Sequence, residues 1–237
     1  MIKTLIACST ILLSLPLLAQ EARTVSVRVV YFQESNENPT DLFYAKAGGE
    51  FGKATPTSGV AGEPSLMSVS DTGQVTLLKT PGRGTPVAIA KVPDGMKEAL
   101  FFLLRNPSSP SQDPSYKVLV ADESVKTLPR GSSFLCNIGG FASRVALGGS
   151  GYLLPPGKPA YVPRPVKRDA YNMAPFQVEA QSGEAWKPVK DTMIRFSENE
   201  RYFFLIYAEA GGAPAVKIYK QFMPVERSME ASARAGS

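Results

Sequence analysis

Twenty prolines and twenty glycines are spread along the whole 237-residue chain, and few windows of twelve residues avoid both. Proline inside a helix removes a backbone donor and collides with the preceding turn, at a cost of about 3 kcal/mol. Glycine costs about 1 kcal/mol relative to alanine. Long helices are therefore excluded over most of the sequence. The longest helical candidate, 229–235, falls in a small, polar tail that begins near Pro224 and is expected to fray.

The pattern that remains has period two. Val25, Val27, Val29 and Tyr31 alternate with Ser26, Arg28 and Val30, as a half-buried strand requires. Similar short runs cover 42–45, 66–69, 74–78, 86–92, 100–104 and 116–121. The second half continues with 133–138, 144–147, 151–154, 176–180, 192–196, 202–208 and 215–222. Turn-forming residues separate them at 34–40, 56–64, Asp71-Thr72-Gly73, 106–115 and 148–151. Short strands punctuated this regularly specify an all-β sandwich or barrel.

An internal repeat sharpens the reading. Leu100-Phe101-Phe102-Leu103-Leu104 returns as Tyr202-Phe203-Phe204-Leu205-Ile206, and Tyr116-Lys117-Val118 returns as Val216-Lys217-Ile218. The spacing of about 100 residues is that of one immunoglobulin-like sandwich. Two tandem immunoglobulin-like β-sandwich units are expected, with the repeated pair as the last hairpin of each and the boundary near 123–129. The alternative is one larger two-sheet sandwich with both copies as central strands. Both copies are apolar on each face, which predicts burial from both sides. The expected organisation is 1–19 signal peptide, 20–122 first unit, 123–223 second unit and 224–237 flexible tail.

The N-terminus reads as an export leader. A charged start at Lys3, an apolar run over 5–18 and Ala19 before Gln20 and Glu21 are the three parts of a signal peptide. Fourteen residues, broken by Ser9, Thr10, Ser14 and Pro16, are too few to span a bilayer, which takes roughly 20. Leu5-Ile6-Ala7-Cys8 also spells a lipobox, but most of the apolar run follows Cys8 instead of preceding it. Export to the periplasm or cell surface is expected. Cleavage after Ala19 leaves Cys136 as the one cysteine, on the apolar side of a strand, where a buried, unreactive thiol is expected.

Charge and residue types narrow the function classes. The chain holds 26 Lys and Arg against 21 Asp and Glu, net +5, too dilute an excess for a nucleic-acid stripe. Histidine is absent, which removes the usual general base and the commonest metal ligand. Glu34, Glu37 and Asp41 form the nearest acidic cluster, without a calcium-loop spacing. Gly148-Gly149-Ser150-Gly151 resembles a nucleophile elbow only until Tyr152 and reads better as a hairpin turn. Glu179, Glu184 and Asp191 are available for sugar hydrolysis but carry no positive signal. No catalytic residue, cofactor or metal is expected.

Two segments suit binding. The first, 155–172, combines five prolines with Lys158, Arg164, Lys167, Arg168, Tyr161 and Tyr171, a surface for an anionic glycan or an acidic partner; the alternative is a long solvated loop. The second is the lone Trp186 beside a turn, placed either to stack on a sugar or to plug the end of a sandwich. Edge strands are a third route, through strand addition, with Arg28 and Lys217 on candidate edges. The sequence therefore points to a non-catalytic exported protein that acts as a scaffold or protein-binding module. Its partner is expected to be another envelope protein, or an anionic glycan. A glycan-binding module is the alternative, and a carboxylate hydrolase a distant third.

Overall fold

A computed structural model describes residues 23–33, 35, 38–60, 62–82, 84–106 and 114–223. The leader, the tail with its helical candidate, and Glu34 and Glu37 lie outside the described residues. Among those described, none is helical. The first eight strands are β1 (Thr24–Tyr31), β2 (Leu42–Ala45), β3 (Phe51–Ala54), β4 (Ser65–Ser68), β5 (Gln74–Leu78), β6 (Pro86–Lys91), β7 (Glu98–Arg105) and β8 (Tyr116–Asp122). The next eight are β9 (Ser133–Asn137), β10 (Ser143–Leu147), β11 (Ser150–Leu154), β12 (Pro159–Val162), β13 (Met173–Ser182), β14 (Ala185–Arg195), β15 (Glu200–Ala208) and β16 (Pro214–Phe222).

The strands form three sheets. β1 to β8 make one eight-stranded sheet in the order β3-β2-β5-β6-β8-β7-β1-β4. Its two outermost strands, β3 and β4, approach each other, so the sheet curls over its own apolar face. β9 to β16 divide into two four-stranded sheets, β11-β10-β13-β14 and β12-β9-β15-β16, which face one another. No ladder among the described residues joins a strand before Glu123 to one after it.

Three cores result, and the alternation of side chains explains them. Val25, Val27 and Val29 of β1 join Phe101 and Leu103 of β7 inside the curled sheet. Tyr202, Phe204 and Ile206 of β15 join Phe176 of β13 between the two smaller sheets. The remaining faces of β7 and β15 meet each other. Leu100 and Phe102 pack with Phe203, Leu205, Phe134 and Cys136 in a third core, with the Phe102 and Phe203 rings 5.8 Å apart in edge-on contact. Each repeated strand is apolar on both faces because each serves two cores. The repeat extends to pairing: β7 runs parallel to β1 and antiparallel to β8, and β15 runs parallel to β9 and antiparallel to β16.

A polar cluster closes the margin of the third core. Glu123 is 1% exposed, and Arg28 Nη1 of β1 donates to its Oε2 at 2.8 Å. Gln221 of β16 donates to the same carboxylate, and Arg201 Nη1 of β15 donates to the Glu123 carbonyl at 2.7 Å. Arg201 is itself fully buried, with Nε and Nη2 lacking any partner. Burial pulls its guanidinium below its ordinary range, and the Glu123 carboxylate pushes the other way. Arg28 thus stands on an inner strand, between β7 and β4, and not on an edge as expected from sequence.

Three elements differ from the sequence reading. β3, preceded by Gly48-Gly49 and with Gly52 inside it, was not expected. β12 lies inside the proline-rich segment, where Pro159 starts a four-residue strand on the edge next to β9; a proline without a donor is tolerated at that place. β14 begins at Ala185, seven residues earlier than the alternation suggested, because its first half is exposed and polar. Gly148 and Gly149, with φ of 56° and 85°, form the tight turn between Leu147 and Ser150, so the glycine cluster is a hairpin and no nucleophile elbow.

Candidate functional site

The sheet β11-β10-β13-β14 has one face in the second core and the other in solvent, and the solvent face carries a groove. Register places Leu153, Arg144, Glu179 and Pro188 side by side across the four strands. Gly151, Ala146, Gln177 and Asp191 form the next row. Gly151 and Ala146 project almost nothing, so they leave a depression between taller neighbours. The resulting groove, about 400 Å³, is lined by Arg144, Ala146, Gly151, Tyr152, Leu153, Gln177, Glu179 and Trp186 among others. Trp186 is half-buried, opposite Gln181 on the same outward face, and the Arg144 guanidinium lies 4.8 Å from its ring centroid.

The polar groups of the groove are paired. Arg144 donates to the Glu179 carboxylate, which holds that carboxyl below the usual carboxylate range and raises Arg144 in turn. Gln177 Nε2 donates to Asp191 Oδ2 at 3.2 Å. Glu179 and Asp191 are diagonal neighbours on one face. A glycosidase acid, however, needs a raised pKa, whereas Arg144 pushes Glu179 the other way. Glu184 lies apart, exposed in the β13–β14 turn.

The proline-rich segment does not join Trp186. It passes the Gly148-Gly149 turn, where a Cβ on Gly148 would stand 2.4 Å from Pro165 and the Lys167 stem covers Gly149. That turn is level with Pro175, whereas Trp186 is level with Gln181, six residues or about 20 Å along the sheet. Tyr161, in β12, is structural. Its ring packs edge-on against Phe134 at 5.2 Å, its hydroxyl accepts from the Asp122 N–H at 2.7 Å, and burial raises its pKa. Arg164 donates to Glu198 at 2.8 Å and to the Phe196 carbonyl at 3.1 Å, bracing the turn before β15. Arg168 donates to the Pro165 carbonyl of its own loop. Lys158 and Tyr171 are exposed, Tyr171 at 77%. Of the seven expected contact residues, then, only Trp186 belongs to the groove; the others brace the second half or stand separately in solvent.

Arg144, Leu153 and Gln177 were not singled out from sequence. A leucine exposed at 65% in a short strand is the signal that could have found them, once the register showed which face it occupies. Elsewhere, Asp41 is engaged by Lys53 at 3.4 Å and by the Thr55 hydroxyl at 2.9 Å. Cys136 is fully buried in the third core, and burial pushes its thiol up to about 12. A second cavity, about 560 Å³, lies at the end of the second half among Arg164, Asn172, Arg195, Glu198, Glu200 and Lys220. Arg164 Nη1 and Glu198 already pair with each other there, while Arg164 Nε is buried without a partner.

No family model matches the chain, and no curated protein does. Among solved structures it is similar to the "putative cell adhesion protein" of Bacteroides eggerthii DSM 20697. The two share 8% identity over 85% of this chain and 95% of that one, with a TM-score of 0.21. Likeness at that level carries nothing about activity.

Proposed function

We propose that this chain is an exported, non-catalytic β-sandwich protein of the periplasm or cell surface that works by contact. Its contact surface is the solvent face of the β11-β10-β13-β14 sheet. The observation that carries the reading is the groove over Gly151 and Ala146, walled by Leu153 and the Arg144–Trp186 stack. An exposed leucine on one side of the groove contributes little to folding where it stands, and with a half-buried tryptophan on the other side it has the composition of a contact site.

The strand-addition route has less support. β14, the long edge next to this face, carries Lys187, Pro188, Lys190 and Arg195, with a register shift opposite Val178 and Glu179. Lysine, proline and a bulge are the features that discourage edge pairing. Lys217, on the β16 edge, is turned onto the Phe32 carbonyl at 2.6 Å. A sheet face is therefore the better surface, whether the partner is an envelope protein or a glycan.

Filling the groove tests the reading. Ala146→Arg places a long side chain into the depression without touching the second core. Binding of envelope protein or polysaccharide to immobilised protein is expected to drop at least ten-fold in this variant. Equal binding by both forms would show that contact occurs elsewhere.

A further inference from the structure

We infer that the groove on the β11-β10-β13-β14 face is a binding site for a neutral glycan. Its hydroxyls would be read by the pairs Arg144–Glu179 and Gln177–Asp191, and its apolar ring face would lie on Leu153 and Trp186. The inference rests on the proposal that this face is the contact surface, and it names the ligand. Three observations carry it.

The first is that the groove floor is the middle of a sheet. The backbone groups of β10 are spent in ladders to β11 and β13, so no main-chain donor or acceptor is free to extend into a peptide. Recognition there must come from side chains. A ligand that presents side-chain-sized hydrogen-bonding groups along its length fits; a docking strand does not.

The second is the form of the polar groups. Each pair sets a donor beside an acceptor across adjacent strands: guanidinium by carboxylate, then amide by carboxylate. A sugar hydroxyl both donates and accepts, so neighbouring hydroxyls can bridge such a pair without leaving either member unpaired. Charge selects among glycans. Glu179 and Asp191 balance Arg144 and, further along β14, Arg195 on this face, so it carries no net positive charge, and Arg144 is already committed to Glu179. An acidic sugar would have to displace Glu179 and sit beside Asp191. A neutral one need not.

The third is the apolar contribution. From Leu153 on β11 to Trp186 on β14 spans three strand spacings, about 14 Å, room for more than one sugar ring across the floor. Leu153 and the part of the indole that Arg144 leaves open are the flat surfaces against which C–H faces of a pyranose pack. The basic segment 155–172 is not needed and does not reach the groove.

The test uses the fact that Trp186 is the one tryptophan of the chain, so its emission reports this groove alone. The protein is applied to a printed array of neutral and acidic glycans, and the hits are titrated by tryptophan fluorescence. The expected result is saturable binding of a neutral oligosaccharide with a shift in emission. Calorimetric affinity should fall ten-fold or more in Glu179→Gln, Leu153→Ser and Trp186→Ala. Tyr171→Ala, in the basic segment, should bind as the unaltered protein does, and thermal unfolding of each variant confirms its fold. Binding of acidic glycans only, no glycan binding, or binding that survives Trp186→Ala overturns the inference. If a protein partner is captured in a manner that Ala146→Arg abolishes, while no glycan binds, the contact surface stands and its glycan ligand falls. Binding indifferent to Ala146→Arg removes both.

Discussion

Glu123→Ala is the substitution that most directly tests how the two halves of the chain are held. The residue is buried with three partners from three strands: Arg28 on its Oε2 and Gln221 on its Oε1, which the substitution removes, and Arg201 on its backbone carbonyl, which the substitution keeps. Removing the carboxylate deletes a charge-assisted hydrogen bond, about 1.5–3 kcal/mol, and leaves the Gln221 amide without an acceptor, about 1–3 kcal/mol. Arg28 is 30% exposed and recovers some hydration, which places the first figure at its low end. Arg201 has no such recourse, because its guanidinium is buried and loses its nearest opposing charge. The sum is about 3–4 kcal/mol, in line with the 3–5 kcal/mol typical for breaking one side of a buried ion pair. Since domains are stable by only about 5–15 kcal/mol, the midpoint should drop by roughly 10 °C. Urea unfolding should show a lower midpoint at unchanged slope. Glu123→Gln, which keeps the shape and an acceptor, should cost clearly less. A loss below about 1 kcal/mol in Glu123→Ala would refute the reasoning. So would strict additivity with Arg28→Ala in a double-mutant cycle, since coupled neighbours deviate by 0.5 kcal/mol or more.

Three further outcomes are expected. Phe203→Ala empties the centre of the third core, beside Phe102 and Phe134, and should cost about 3–5 kcal/mol and split the calorimetric transition into two; a cost near zero would remove the coupling role of that core. Gly148→Ala imposes both a left-handed residue and a Cβ 2.4 Å from Pro165, whereas Gly183→Ala, at φ of 62° with open space around it, imposes only the first, about 1–2 kcal/mol. Gly148→Ala should therefore be the more destabilising in urea, and equal effects would show that the proline-rich segment yields at no cost. Burial raises the Cys136 thiol from 9 to about 12, so the folded form keeps a proton that the unfolded chain releases. Stability due to this group is complete below pH 9 and is lost toward pH 12, by about 1.4 kcal/mol per unit between. Unfolding at pH 8 and pH 10 should reveal the slope, and Cys136→Val should flatten it.

Much of the architecture can be read in the amino-acid order because strand formation is local. Proline and glycine exclude helix, alternation marks β1 and its successors, and the Gly148-Gly149 pair supplies the positive-φ residues that its hairpin needs. Apolarity on both faces of 100–104 and 202–206 likewise foretold that β7 and β15 would be covered on each side. What covers them was decided only in three dimensions. The outer faces of the two repeated strands meet in a core of their own, and that contact joins residues about 100 positions apart. The groove was hidden for the same reason. Leu153, Arg144, Glu179 and Trp186 come from four strands, and their neighbourhood exists only through register, in which a shift of one residue would turn each to the other face. Charge and aromaticity made 155–172 conspicuous in sequence, yet Tyr161, Arg164 and Arg168 are consumed by contacts that brace the second half. Local chemistry dictates which residues can form strands; which of them are left over for a partner depends on what the distant chain brings against them.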